Sequence, residues 1–187
     1  MDAFSYLSVL LSIILGLAIT QILQGLRGLM QARSRVRMYA PAVTWALLLL
    51  LVDVQSWWAM YDLRGVAHWS FAAFGVVVAH TIGLYMLAAL VLPDAFGDAP
   101  VDLREHYWNH FQWFFGFVVL TALLGIGKDL ALYGHWPQTS NLIYQLSFAV
   151  TCGIAALTRR EWYHQWLAPA AALGFAGYIA LLFSQLG

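Results

Sequence analysis

The residues of this sequence that could carry chemistry are ionisable side chains inside long apolar stretches. Asp53 follows six consecutive aliphatic residues, His80 lies in the middle of a second apolar stretch, and Lys128 lies near the end of a third. An ionisable group within hydrocarbon costs several kcal/mol and marks a functional candidate. Asp53 is therefore a candidate proton or cation site, His80 a candidate relay because imidazole titrates near neutrality, and Lys128 the countercharge.

Each of these three residues also has a structural interpretation. Asp53 and Lys128 could form an ion pair that only holds two helices together, or Asp53 could hydrogen-bond across helices. His80 shares a helical face with apolar residues, which is typical of one buried imidazole bonded to a neighbouring carbonyl. A proton relay with Asp53 and a cofactor ligand are the other interpretations of His80.

A second group of candidates lies near one predicted membrane boundary. Asp102, His106 and His110 are spaced by four residues, and His164 begins a later stretch on the same predicted side. Two histidines one helical turn apart, a carboxylate and a third histidine could bind zinc or iron. Alternatively, these histidines face hydrated headgroups, and Asp102 with Glu105 caps a helix. No cofactor is expected, because haem would need a second histidine at the depth of His80; a bound metal or a haem shared between subunits is the alternative.

The first apolar stretch carries small and polar residues at strict four-residue spacing: Ser8, Ser12, Gly16, Thr20, Gln24 and Gly28. Residues four apart share one face of a helix, and small residues allow another backbone to approach closely. We call this set the α1 stripe, after the first predicted helix, α1, at about residues 4–26. It predicts packing within the chain, a subunit interface or the lining of a pore.

These residues need helices that span a membrane to position them. The 187 residues are 62% apolar and only 10% charged, too little charge for the surface of a soluble domain. A bilayer core of about 30 Å needs about 20 apolar residues as a helix. We predict an all-α bundle of six transmembrane helices in one domain with short loops, at about residues 4–26, 38–61, 69–92, 106–128, 140–157 and 162–186.

Several other classes are excluded. The continuous apolar run before Asp53 does not alternate as a barrel strand does. The net charge is zero and no long basic run exists, so nucleic acid is not a predicted partner. A single cysteine, Cys152, excludes an internal disulfide. Glycine-rich phosphate loops and known nucleophile or zinc-protease motifs are absent from the sequence, so the chain is not expected to be an enzyme.

The distribution of basic residues predicts the orientation. Seven of the nine lie at the first, third and fifth connections, whereas only Arg64 and Lys128 lie at the others. Since basic loops stay in the cytoplasm, both termini are predicted to face outside, with the bacterial inner membrane as the predicted location. Trp and Tyr residues cluster at both predicted boundaries, as amphipathic rings do in membrane proteins.

The predicted function is a small channel or transporter for protons, ions or small polar solutes. The predicted partners are the lipid bilayer and either further copies of the chain or the other subunits of a membrane complex. Two alternatives remain at this point. One is an accessory or scaffold subunit of a larger membrane complex, and the other is a membrane protein that binds a metal or cofactor.

Overall fold

The structure, a computed structural model, describes residues 3–66, 68–94, 96 and 100–182. Its six long helices are α1 (Ala3–Gln31), α2 (Ala40–Ala59), α3 (Phe71–Val91), α4 (Leu103–Tyr133), α5 (Thr139–Leu157) and α6 (Glu161–Leu182). A 3₁₀ helix, Met60–Gly65, continues α2, and two short strands, β1 (Val36–Arg37) and β2 (Val101–Asp102), pair in parallel. The predicted all-α class is confirmed.

Five of these helices, α1 to α5, are long and apolar enough to cross a membrane. The chain is therefore a helical membrane bundle, as its composition predicts. Helix α6 is not among the five: its first turns carry Glu161, His164 and Gln165, and the predicted residues 183–186 of this span lie outside the described residues. A sixth crossing stays a prediction.

The ends of the helices follow local chemistry. Ser70 caps α3 by accepting a hydrogen bond from the backbone N–H of Ala73 at 3.1 Å. Asp102 caps α4 by accepting from Arg104 and Glu105, which confirms its predicted capping role. Gly134 ends α4 at a φ of 67°, a conformation that glycine adopts without strain. Helix α4 therefore extends beyond the predicted 106–128 at both ends, and α1 continues past residue 26 to Gln31.

The helices form a ring in which α5 packs on α4, α4 on α3, α3 on α2, and α2 on α6, while α1 lies against α2 and α3. The centre of the core is Trp45, whose ring meets those of Phe114 and Phe115 at centroid distances of 5.5 Å. Phe148 of α5 lies 6.5 Å from the same indole. These aromatic contacts join α2, α4 and α5 at one level of the bundle.

The outer faces of the helices are mostly apolar. Large aliphatic and aromatic side chains in the middle of the spans are about half exposed or more, as Ile13, Leu47, Trp113, Val150 and Leu173 illustrate. A soluble domain rarely exposes a continuous apolar surface of this kind. These faces therefore suit contact with lipid.

Hydrogen bonds and ion pairs join the connections at one end of the bundle, which we call the basic end. Pairing of β1 with β2 brings the first and third connections together, and Arg37 forms an ion pair with Asp102 at 3.2 Å. Arg104 binds both carboxylate oxygens of Glu161, at 2.9 and 2.8 Å, and so joins α4 to the start of α6. The first, third and fifth connections thus meet at one end, as the predicted topology requires.

Glycine permits one close helix contact that another side chain would disturb. A Cβ atom at Gly25 would lie 2.8 Å from Cδ1 and 2.9 Å from Cβ of the buried Leu92. The same atom at Gly16, also in α1, would meet nothing within 4 Å. The two glycines therefore differ in packing but share one helix.

We predict that Gly25→Ala lowers the free energy of unfolding by about 1–3 kcal/mol, the usual cost of overpacking. Gly16→Ala, the control, should be neutral or slightly stabilising, because alanine favours helix and has room there. Thermal unfolding of both variants in the same detergent measures the difference. Equal losses would show that α1 does not pack on Leu92 as the structure places it.

Candidate functional site

A cavity of about 470 Å³ lies within the ring of helices. All six helices contribute to its wall, with α1 supplying only Leu11 and Leu15. Pockets of 300–1,000 Å³ with mixed lining are typical of small-molecule sites. The cavity is therefore the candidate functional site.

The cavity is open at one end and closed at the other. Exposed residues, among them Asp62, Tyr133 and His135, line it near the connection from α4 to α5. Buried residues, among them Trp45 and Ala171, line its other end. The aromatic cluster around Trp45 therefore lies between the cavity and the basic end.

The polar wall of the cavity is a set of hydrogen bonds that runs from α3 to α6. His80 Nδ1 donates to the carbonyl of Thr121 at 3.1 Å, because a carbonyl can only accept. Gln145 Nε2 donates to Asn141 Oδ1 at 3.0 Å, and the Tyr178 hydroxyl donates to the same oxygen at 3.2 Å. These bonds fix the side chains that face the cavity.

Two contacts allow α3, α4 and α5 to approach each other along this wall. A Cβ atom at Gly83 would lie 2.5 Å from the Thr121 hydroxyl oxygen, so only glycine fits there without movement. At Gly125, a Cβ atom would lie 3.3 Å from Gln145 Oε1 and 3.5 Å from His80 Cε1. Gly125 therefore lies between the side chains of His80 and Gln145.

Aromatic rings cover the wall formed by α5 and α6. The rings of Tyr144 and Tyr178 stack at 4.8 Å with an interplanar angle of 12°. Phe148 lies parallel to Tyr144 at 6.5 Å, and Phe175 stacks on Tyr178 at 6.1 Å. The cavity thus combines an aromatic wall with a polar one.

The structure separates the three residues of the predicted proton site. His80 and Lys128 both line the cavity, but Asp53 does not. Asp53 is 1% exposed, and neither of its carboxylate oxygens has a hydrogen-bond partner among the described residues. The predicted Asp53–Lys128 ion pair is not found there. His80 instead binds a neighbouring carbonyl, which is the structural interpretation given above.

The four predicted metal ligands serve other contacts. Asp102 caps α4, His106 Nε2 donates to the carbonyl of Leu90 at 3.2 Å, and His110 Nδ1 donates to the carbonyl of His106 at 2.9 Å. His164 is fully buried: its Nε2 donates to the carbonyl of Thr158 at 2.9 Å, so its Nδ1 accepts from the Tyr107 hydroxyl at 2.7 Å. No group of three potential ligands within the described ranges could hold a metal.

Asp102 and Glu161 at the basic end are held in their ionised forms. Burial raises the pKa of Asp102, but the N–H groups of Glu105 and Arg104 and the charge of Arg37 outweigh it, so that pKa lies below its usual range. The hydrogen bond from Arg104 lowers the pKa of Glu161. Both carboxylates therefore remain paired at neutral pH.

The α1 stripe does not line the cavity. Its middle residues, Ser12, Gly16, Thr20 and Gln24, are exposed on the outside of the bundle. At the end of the stripe, a Cβ atom added at Gly28 would overlap the ring of Phe96. The structure therefore does not place this stripe in a pore lining. Packing within the chain accounts for the Gly28 end of the stripe. A subunit interface at its middle stays a prediction.

Sequence reasoning missed most of the polar wall. Asn141 and Gln145 of α5 lie one helical turn apart, with Tyr144 beside them and Phe148 one turn further on. That spacing puts polar groups on one helical face in an apolar span, which is a signal for a buried polar site. Gln55 and the tyrosines that line the cavity carry no such signal in the sequence, because aromatic rings and amides also lie at membrane boundaries.

Comparison with models of protein families, with characterised proteins and with solved structures finds no match to this chain.

Proposed function

We propose that this protein is a small membrane transporter that binds its solute in the cavity between α2, α3, α4, α5 and α6. The observation that carries the proposal is a cavity of about 470 Å³ inside a membrane bundle, open at one end and closed by the Trp45 cluster at the other. One-sided access to a site near the middle of the bundle is what alternating access requires. A structural scaffold subunit has no need for such a cavity.

Flux into proteoliposomes tests the proposal. Purified protein is reconstituted and offered labelled amino acids, sugars, organic acids and organic cations, and proton flux is followed with a dye. We predict uptake of at least one class above protein-free vesicles. Ala122→Trp should abolish that uptake, because Ala122 lines the cavity and an indole would fill much of it.

Leu123→Trp is the matched control for this variant, since Leu123 is 50% exposed on the outer face of the same helix. It should leave flux unchanged. Absence of flux for every solute would overturn the transport proposal. Flux that survives Ala122→Trp would remove the cavity from the pathway.

We further propose that Asp53 couples flux to protons. A carboxylate buried without a countercharge is costly, so Asp53 either carries a proton or meets a cation from outside the described residues. His80 and Lys128 line the neighbouring cavity and would sense solute rather than pair with Asp53.

Asp53→Asn keeps the shape of this side chain but removes its ability to exchange a proton. We expect the variant to lose the dependence of flux on an imposed pH gradient, measured in the same proteoliposomes. Asp94→Asn is the control, because the Asp94 carboxylate is exposed and accepts from Gln21 at the basic end. An unchanged gradient dependence in Asp53→Asn would remove Asp53 from the mechanism.

The proposed side of entry is the cell exterior, because the basic end predicts the cytoplasmic side and the cavity opens at the other end. In intact cells, a membrane-impermeant maleimide should label Gln138→Cys at the cavity mouth and leave Arg33→Cys at the basic end unlabelled. The native Cys152 is fully buried and gives a low background. The reverse labelling pattern would invert the orientation.

A further inference from the structure

The cavity wall presents two hydrogen-bond acceptors side by side. The N–H of His80 is used by the Thr121 carbonyl and the amide nitrogen of Gln145 by Asn141. Therefore His80 Nε2 and Gln145 Oε1 remain as acceptors, and neither makes a hydrogen bond with a described residue. Both side chains flank Gly125, which has no side chain to cover them. Such a pair suits a ligand that brings N–H or O–H donors.

The same face of α4 presents charge one turn further toward the mouth. Lys128 and Asp129 both line the cavity, and neither forms an ion pair within 4.0 Å with a described residue. Lys128 is three residues from Gly125, so its ammonium group lies on the same helical face as the acceptor pair. Opposite charges that form no ion pair within 4.0 Å, next to acceptors, match a ligand that carries both signs of charge.

The closed end of the cavity is uncharged and mostly apolar, its one unpaired polar atom among the side chains named next being the indole nitrogen of Trp45. Trp45, Leu48, Leu84, Val118 and Phe148 line it, and none of these side chains offers a charge. A ligand with a charged head at Lys128 must therefore place an apolar body toward Trp45. Burial of that body supplies affinity in proportion to its apolar area.

We propose that the cavity binds a small zwitterion with an apolar body, of the α-amino acid type. The carboxylate pairs with Lys128, the amino group donates to His80 Nε2 and Gln145 Oε1 with Asp129 as the nearby countercharge, and the side chain lies against the apolar end. This assignment names the solute class of the proposed transporter and rests on that function, but binding is measured without transport.

Equilibrium binding to the full chain in detergent tests the assignment. The four probes are one compound with all the required groups and three compounds that each lack one of them. L-tryptophan carries all three features, indole-3-propionate lacks the amine, tryptamine lacks the carboxylate, and glycine lacks the apolar body. We expect tryptophan to bind about ten- to a hundredfold more tightly than indole-3-propionate or tryptamine, the range for one charge-assisted hydrogen bond. It should exceed glycine by at least about tenfold, because glycine buries no apolar body. Indifference to the loss of any one group would overturn the assignment, as would no binding of tryptophan at millimolar concentration.

Two variants separate the roles of the polar groups. Lys128→Gln should weaken tryptophan and indole-3-propionate about tenfold but leave tryptamine unchanged, and Lys128→Arg should restore binding in part. Gln145→Leu should weaken tryptophan and tryptamine but leave indole-3-propionate unchanged. Gln24→Leu on the exposed side of α1 is the control and should change none of them. A uniform loss for all probes would contradict the assigned roles.

The outcomes distinguish this inference from the transport proposal. Binding that follows these rules in a protein without flux would overturn transport and leave the ligand assignment standing. Flux of another solute, blocked by Ala122→Trp and unaffected by tryptophan, would support transport and overturn the assignment.

Discussion

Hydrocarbon offers no hydrogen-bond partner, and this constraint arranges the polar groups of the whole bundle. Three short hydroxyl side chains are satisfied within their own helix: Thr20, Thr81 and Thr151 each donate to the carbonyl four residues earlier. His80 and Tyr178 instead donate to a neighbouring helix across the space that the helices share. The cavity and its polar wall are thus two results of one requirement, while the outer faces stay mostly apolar.

The two ends of the bundle meet this requirement differently. At the basic end, Arg104 binds Glu161 and the Tyr107 hydroxyl donates to His164. These polar contacts join α4 to α6 on the basic-end side of the aromatic cluster around Trp45. At the other end, α4, α5 and α6 surround the cavity mouth, where Tyr178 of α6 donates to Asn141 of α5 and no ion pair joins α4 to α6 among the described residues. In the proposed transporter, solute would leave through the basic end only after these contacts between α4 and α6 break. The contacts would therefore favour the conformation that is open on the opposite side.

The elements were predictable because apolar length and composition determine a membrane helix, and local chemistry determines its ends. Asp102 is one example: a short side chain with an acceptor oxygen directly before a helix caps that helix, whatever the helix packs against. The site was less predictable, because a cavity depends on which helices become neighbours. Asp53 and Lys128 look like partners along the chain, but α2 turns Asp53 away from the wall that carries Lys128. The exposed middle of the α1 stripe shows the same limit, since spacing identifies a face but not what lies against it.

The position of Asp53 bears on how a proton could affect the solute. Trp45, Leu48, Leu49 and Val52 of α2 line the cavity, whereas Asp53 is buried beside that row and touches none of the space. In the proposed transporter, a proton on Asp53 would therefore act without contact with solute. It would act through the packing of α2, by changing the cost of burying this carboxyl among its neighbours. Trp45, on the same helix, closes the cavity. A change in the packing of α2 would therefore also affect the closed end, so that α2 would link Asp53 to the aromatic cluster around Trp45.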